Sequence, residues 1–179
     1  MRKGILIAFS VTALAWLGAV LSPAAAQSTF KLGVFDPQRV SEETAEGKRI
    51  QAKLEAMRAE RQKEISGEEA KINELQQQLS QQSLSLSAEK RAQMEIDIQK
   101  RLLELNSKKD TMTKAFQLEI SAEEARFNEK LRAVLSQFAR DEEFSVILEV
   151  AAVAFAATSV DVTTAVIDRF NKLYPASAS

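Results

Sequence analysis

The chain has 179 residues, with no Cys, no His and a formal net charge of −1. Without Cys there is no disulfide framework and no thiol chemistry. Without His as well, most zinc sites and most nucleophile–base pairs are excluded, so no metal or cofactor is expected. A weakly acidic whole also lacks the strongly basic face of a dedicated nucleic-acid binder, and no nucleic-acid partner is expected.

The N-terminus reads as an address. Met1-Arg2-Lys3 is a positively charged start, an apolar run follows from Ile5 to Leu21, and Ala24-x-Ala26 is a small-residue exit before Gln27. This is the layout of a secretory signal peptide over residues 1–26, cleaved after Ala26. The other reading, a permanent membrane anchor, needs a longer apolar stretch to cross about 30 Å of hydrocarbon. The mature chain is therefore expected in the periplasm.

Residues 27–46 predict a first strand and a short helix. Phe30, Leu32 and Val34 alternate with Lys31, Gly33 and Phe35, the period of a strand. Asp36-Pro37 then reads as an N-cap followed by Pro at the first helical position. Gly47 is expected to permit a change of direction.

Residues 47–140 contain no Pro and are rich in Gln, Glu, Lys, Arg and Ala, all good helix formers. The pattern loosens only around Gln76-Gln77-Gln78-Leu79-Ser80-Gln81-Gln82-Ser83-Leu84-Ser85-Leu86-Ser87. It predicts one helix out, a reversal near residues 83–87, and a longer helix back. At a rise of about 1.5 Å per residue the two arms would be roughly 55 and 75 Å long, too long for a compact globule of this size. Ile65, Ile72, Leu79 and Leu86 recur every seven residues, joined by Leu75, and the return arm repeats such a seam from Met94, Ile98, Leu102 and Leu105 to Phe127, Leu131, Leu135 and Phe138. Ser87 and Glu89 resemble the cap and acidic first turn of the return helix. Order is expected to be firm near the body and weaker towards the tip. The arm carries 18 basic and 15 acidic residues, an ordinary solvated helix surface.

Residues 141–179 complete the body. Phe144, Val146, Leu148 and Val150 alternate with Ser145, Ile147 and Glu149, a second strand. Val153 and Phe155, spaced by alanines, suggest a third, with an Ala-rich helix over residues 151–157 as the alternative. Ser159-Val160-Asp161 caps a final helix with Val162, Val166, Phe170 and Leu173 on its buried stripe and Pro175 beyond its end.

The expected fold is thus mainly α with a small β body, from which a long antiparallel helical hairpin projects. Only about 55–60 residues remain for the body, a size that is marginal alone. Joining the sheets of several copies would cover both the apolar faces and the open edges. Phe30, Leu32, Val34, Val146, Leu148 and Val150 are the candidate residues of that oligomeric body.

This order of parts resembles the Skp/OmpH family of periplasmic chaperones. The resemblance rests on Lys31-Leu32-Gly33-Val34-Phe35-Asp36 with a short helix behind it, and on Phe144-Ser145-Val146-Ile147-Leu148-Glu149-Val150. It extends to Val153-Ala154-Phe155, to Asp161-Val162-Thr163, to the polar hairpin and to the signal peptide. The resemblance implies a homotrimer whose strands form the body and whose three hairpins enclose a cavity. It implies a holdase that keeps unfolded outer-membrane β-barrel proteins from aggregating without ATP. A transient contact with the membrane surface is compatible with it.

A holdase must offer many weak apolar contacts without collapsing on itself. Leu75, Leu79, Leu84, Leu86, Met94, Ile96 and Ile98, set among Gln and Ser on the distal hairpin, are the candidate client-binding residues. A structural adaptor of the envelope needs the same helices but expects a hot spot of Trp, Tyr or Arg anchors. Without residues 1–26 the chain keeps one Tyr, Tyr174, and no Trp. An enzyme is the third reading. Adjacent carboxylates such as Glu68-Glu69 and Glu123-Glu124 do not converge on one helical face, and no Gly-rich phosphate loop is present.

Overall fold

A computed structural model describes residues 30–175. The expected signal peptide and its cleavage point lie outside the described residues. In chain order, β1 (Leu32–Phe35) is followed by α1 (Pro37–Glu43), α2 (Ala45–Gln82) and α3 (Ala88–Asp141). Then come β2 (Val146–Glu149), short 3-10 turns at Val150–Ala152 and Thr158–Val160, and α4 (Thr163–Leu173).

The local signals act where the sequence places them. The Asp36 carboxylate accepts hydrogen bonds from the N–H groups of Gln38 (2.9 Å) and Arg39 (3.2 Å), with Pro37 at the first helical position. Ser87 Oγ accepts from Lys90 N–H at 3.2 Å and opens α3 with Glu89 in its first turn. The reversal occupies residues 83–87. Asp161 Oδ1 accepts from the N–H of Thr163 at 2.8 Å and starts α4.

Gly47 acts differently from the sequence expectation. The chain turns at Thr44, an extended residue between α1 and α2 whose hydroxyl accepts from Gly47 N–H. Gly47 itself lies inside the first turn of α2. A Cβ there would stand 1.7 Å from the Ser41 carbonyl oxygen, so the glycine serves close approach of α1 and α2.

β1 and β2 pair in parallel, with Leu32 opposite Val146 and Val34 opposite Leu148. Alternation sends Gly33, Phe35 and Ile147 to one face. Phe35 joins the main core of Val40, Phe127, Leu131, Val134, Phe138, Val166, Ile167 and Phe170, and Ile147 packs against it. The rings of Phe127 and Phe170 stack at 5.1 Å. Leu32, Val34, Val146 and Leu148 form the other face.

The third strand is corrected. Val150 leaves the ladder in a 3-10 turn, closed by a hydrogen bond from Val153 N–H to the Val150 carbonyl, and Val153 and Phe155 belong to no strand. Neither does a helix span residues 151–157. The free edge of β1 is taken instead by Asp161, which bridges Val34. Residues 150–160 return over the second face and share with Val34 a pocket of about 240 Å³ lined by Val150, Ala156 and Ala157.

Candidate functional site

α2 has 38 residues and α3 has 54, so they run about 57 and 81 Å at about 1.5 Å per residue. Side chains tie them along their length in opposite order. Lys53 pairs with Glu119 and with Glu123 (2.6 Å), Arg61 bonds Thr113 (3.3 Å), and Glu69 pairs with Lys109 (2.6 Å). As numbers rise on α2 they fall on α3.

The root of the arm is a charged lock. Glu123 is buried, yet it receives Lys53, Arg49 (3.4 Å) and Arg126 (3.3 Å). Glu46 receives Arg49 (2.8 Å) and Lys130 (2.6 Å). Hydrogen bonding by Arg49, aided by Lys130, holds the Glu46 carboxyl down to about 2. Hydrogen bonding by Lys53 likewise lowers Glu123. Both carboxylates therefore stay ionised although burial opposes it. Every strong charge here has a protein partner, which is the pattern of a structural network. Among the described residues no group of His, Cys, Asp or Glu is arranged to hold a metal ion.

Towards the tip a second apolar cluster closes the two helices. Ile72, Ile98 and Leu105 are buried in it, with Ile65, Leu75, Leu79 and Leu102 packed against them. The candidate client-binding residues therefore divide. Ile98 lies inside this cluster, Leu75 and Leu79 pack on it, and Met94 and Leu86 are half-buried. Leu84 is fully exposed in the reversal, and Ile96 is 61% exposed on α3.

Ile96 has company that the sequence reading did not single out. Leu103 is 71% and Leu118 72% exposed. From Ile96 these lie seven and twenty-two residues on, spacings that return to one side of a helix with 3.6 residues per turn. Ala92, Ile96 and Leu103 line a shallow groove of about 620 Å³ bordered by Glu95, Gln99, Lys100 and Glu104. The signal was present in Leu102-Leu103: one of two adjacent leucines must leave the interhelical seam.

The candidate oligomer residues divide too. Val34 is buried within the chain, Leu32, Val146 and Leu148 are half-buried, and Val150 and Phe30 are exposed. Phe155 is exposed on an uncharged loop. No described helix is long and apolar enough to cross a membrane.

The described residues thus form a small parallel sheet capped by helices, bearing a long two-helix arm with apolar residues exposed on its outer side. The chain belongs to the OmpH-like family: the family described as Outer membrane protein (OmpH-like) matches it over residues 31–170. The crystal structure of an OmpH-like protein of Caulobacter crescentus CB15, described as a candidate outer membrane chaperone, is similar to it with a TM-score of 0.77. That match has 18% identity and covers 84% of this chain and 88% of the other, and at such identity it shows the fold alone. No curated protein matches the chain in sequence.

Proposed function

We propose that the protein is an ATP-independent holdase of the periplasm. It receives unfolded outer-membrane β-barrel proteins between the helical arms of an oligomer and keeps them from aggregating. The observation that carries this reading is the row Ile96, Leu103 and Leu118, left open on the outer side of α3 while the inner side is closed by its own apolar cluster. Each such side chain contributes about 1.5–3 kcal/mol when fully covered, and less in a loose contact. Several of them on several arms give avidity without one strong site. Separation by Glu, Lys and Gln keeps each patch small and limits self-association.

The antiparallel hairpin acts as the arm, and a homotrimer built on the β bodies would bring three arms around a cavity. The half-covered face of Leu32, Val146 and Leu148, with exposed Phe30, Val150 and Phe155, suits burial between copies. Export with removal of residues 1–26 would deliver the chain to these clients, and the membrane surface would be met only in passing. The description of the Caulobacter protein as a candidate chaperone supports the same role. The adaptor reading is disfavoured by Tyr174, whose ring packs on Phe170 at 5.3 Å and is no free anchor. Light scattering of an unfolded barrel protein diluted from denaturant tests the function: suppression without nucleotide is expected. Aggregation unchanged by an excess of the protein contradicts it.

A further inference from the structure

Beyond residues 1–26, sulfur is confined to the arm. The chain has no Cys, and its methionines there are Met57, Met94 and Met112. Met57 stands on α2, and Met94 and Met112 stand on α3. Met57 lies seven residues after Ile50 and Met112 seven after Leu105, the spacing that keeps a residue on the seam between two helices. The ties between the helices agree. Lys53 with Glu119 and Arg61 with Thr113 bracket Met57, and Arg61 with Thr113 and Glu64 with Lys108 bracket Met112.

This part of the seam is thinly covered. The root core reaches Ile50 and Phe127, and the distal cluster reaches back to Ile65 and Leu105. Between them none of the apolar residues is buried, and Leu54, Met57, Met112, Phe116 and Ile120 are half-buried. The guanidinium of Arg61 lies over the Phe116 ring at 4.7 Å, with its Nε buried and unpartnered. A half-buried thioether is open enough to react and covered enough for the change to matter. It fits an apolar seam, whereas its sulfoxide is polar and does not. Met94 differs. It lines a depression of about 330 Å³ with Asp97, Lys100, Arg101 and Glu104, where a sulfoxide would meet charged neighbours.

We propose that Met57 and Met112 form a reversible oxidation site for two-electron oxidants of the hypochlorous acid and peroxide class, and that their conversion to sulfoxides loosens α2 from α3 between the two apolar clusters. The thioether sulfur takes the oxygen atom of hypochlorous acid and loses two electrons. Chlorine takes both and leaves as chloride, and a proton is released. With hydrogen peroxide the leaving product is water. Sulfoxide reductases reverse the step: two electrons from a dithiol restore the thioether, and the oxygen leaves as water. The root core and charged lock hold one end of this stretch, and Ile72, Ile98 and Leu105 hold the other, so the loosening is confined between them. The step needs no client, so its test stands apart from that of the holdase reading.

Treatment of the purified protein with a slight molar excess of hypochlorous acid tests this. Peptide mass spectrometry should find one added oxygen on Met57 and on Met112 in the folded protein. Hydrogen exchange over residues 54–64 and 108–120 should then be about tenfold faster, the scale of uncovering one or two methylene groups, with residues 72–79 and 98–105 unchanged. Sulfoxide reductases with dithiothreitol should restore the original rates. Met112→Gln, which puts a polar group of similar length on the seam, should quicken exchange over the same stretch without oxidant. Met57→Leu combined with Met112→Leu keeps the volume and should abolish the response, while Met94→Leu should leave it intact. If Met57 and Met112 stay reduced while the chain is folded, the site is overturned. Sulfoxides on both with unchanged exchange overturn the loosening, as does a response that survives the double leucine variant or is lost with Met94→Leu.

Discussion

The side-chain oxygen of Asn171 on α4 accepts a hydrogen bond from the backbone N–H of Ala45, the first residue of α2, at 2.8 Å. The final helix of the chain thereby satisfies one of the open donors at the start of the arm. Thr44 supplies a second acceptor from the other side, to Gly47 N–H. Asn171→Ala should cost about 1 kcal/mol, the usual worth of a helix cap. Urea denaturation of the variant against the parent, with equal slopes, measures it.

Two glycines on one helix predict opposite outcomes. Gly47→Ala places a methyl group 1.7 Å from the backbone oxygen of Ser41, which cannot rotate away. It should destabilise by about 3 kcal/mol or more, beyond ordinary overpacking. Gly67→Ala meets nothing and should stabilise by about 0.4–1 kcal/mol. Paired thermal melts decide both.

The charged lock makes stability depend on acid. Glu46 is held at about 2 against an ordinary value of 4.5, and Glu123 is lowered as well. Folded-state values below unfolded ones mean that the stabilisation is complete above about pH 4.5 and is lost as pH falls towards 2. Glu123→Gln leaves Lys53, Arg49 and Arg126 with a neutral partner, although Lys53 keeps Glu119. A loss of about 1.5–3 kcal/mol at neutral pH is expected. The difference between variant and parent should shrink below pH 4, followed by chemical denaturation across that range.

Much of the fold was legible because its decisive signals are local. Asp36-Pro37, Ser87 with Glu89, and Asp161 each act through hydrogen bonds to neighbours two or three residues away. The heptad spacing of Ile65, Ile72 and Leu79 gave the inner side of the arm for the same reason. The third strand was not legible: apolar residues spaced by alanines match a strand period, yet the edge they would pair with is occupied by Asp161. The sequence around Gly47 suggests conformational freedom, while its role depends on Ser41 in another helix. Of the candidate contact residues, periodicity identified those near the seam, and the seam then covered Ile98. Leu103 and Leu118 escaped because their exposure is defined by what α2 leaves uncovered.

The body face gives a test of assembly. Leu148 pairs in register with Val34 on the face turned from the main core, and it is half-buried within one chain. If that face closes between copies, Leu148→Asp places an unpaired charge in an apolar interface, among the larger single-site penalties. Sedimentation should then show loss of the parent oligomer or aggregation. A folded variant with the parent mass would place the contact elsewhere.

In the proposed function, unfolded chains are held on the outer side of α3. A photoreactive residue placed singly at Ile96, Leu103, Leu118 or Phe155, with Leu105 as the buried control, tests this placement. Covalent adducts with an unfolded outer-membrane barrel protein are expected from Ile96, Leu103 and Leu118, and few from Leu105. Adducts formed at Phe155 on the body, with none from Ile96, Leu103 or Leu118, would contradict it.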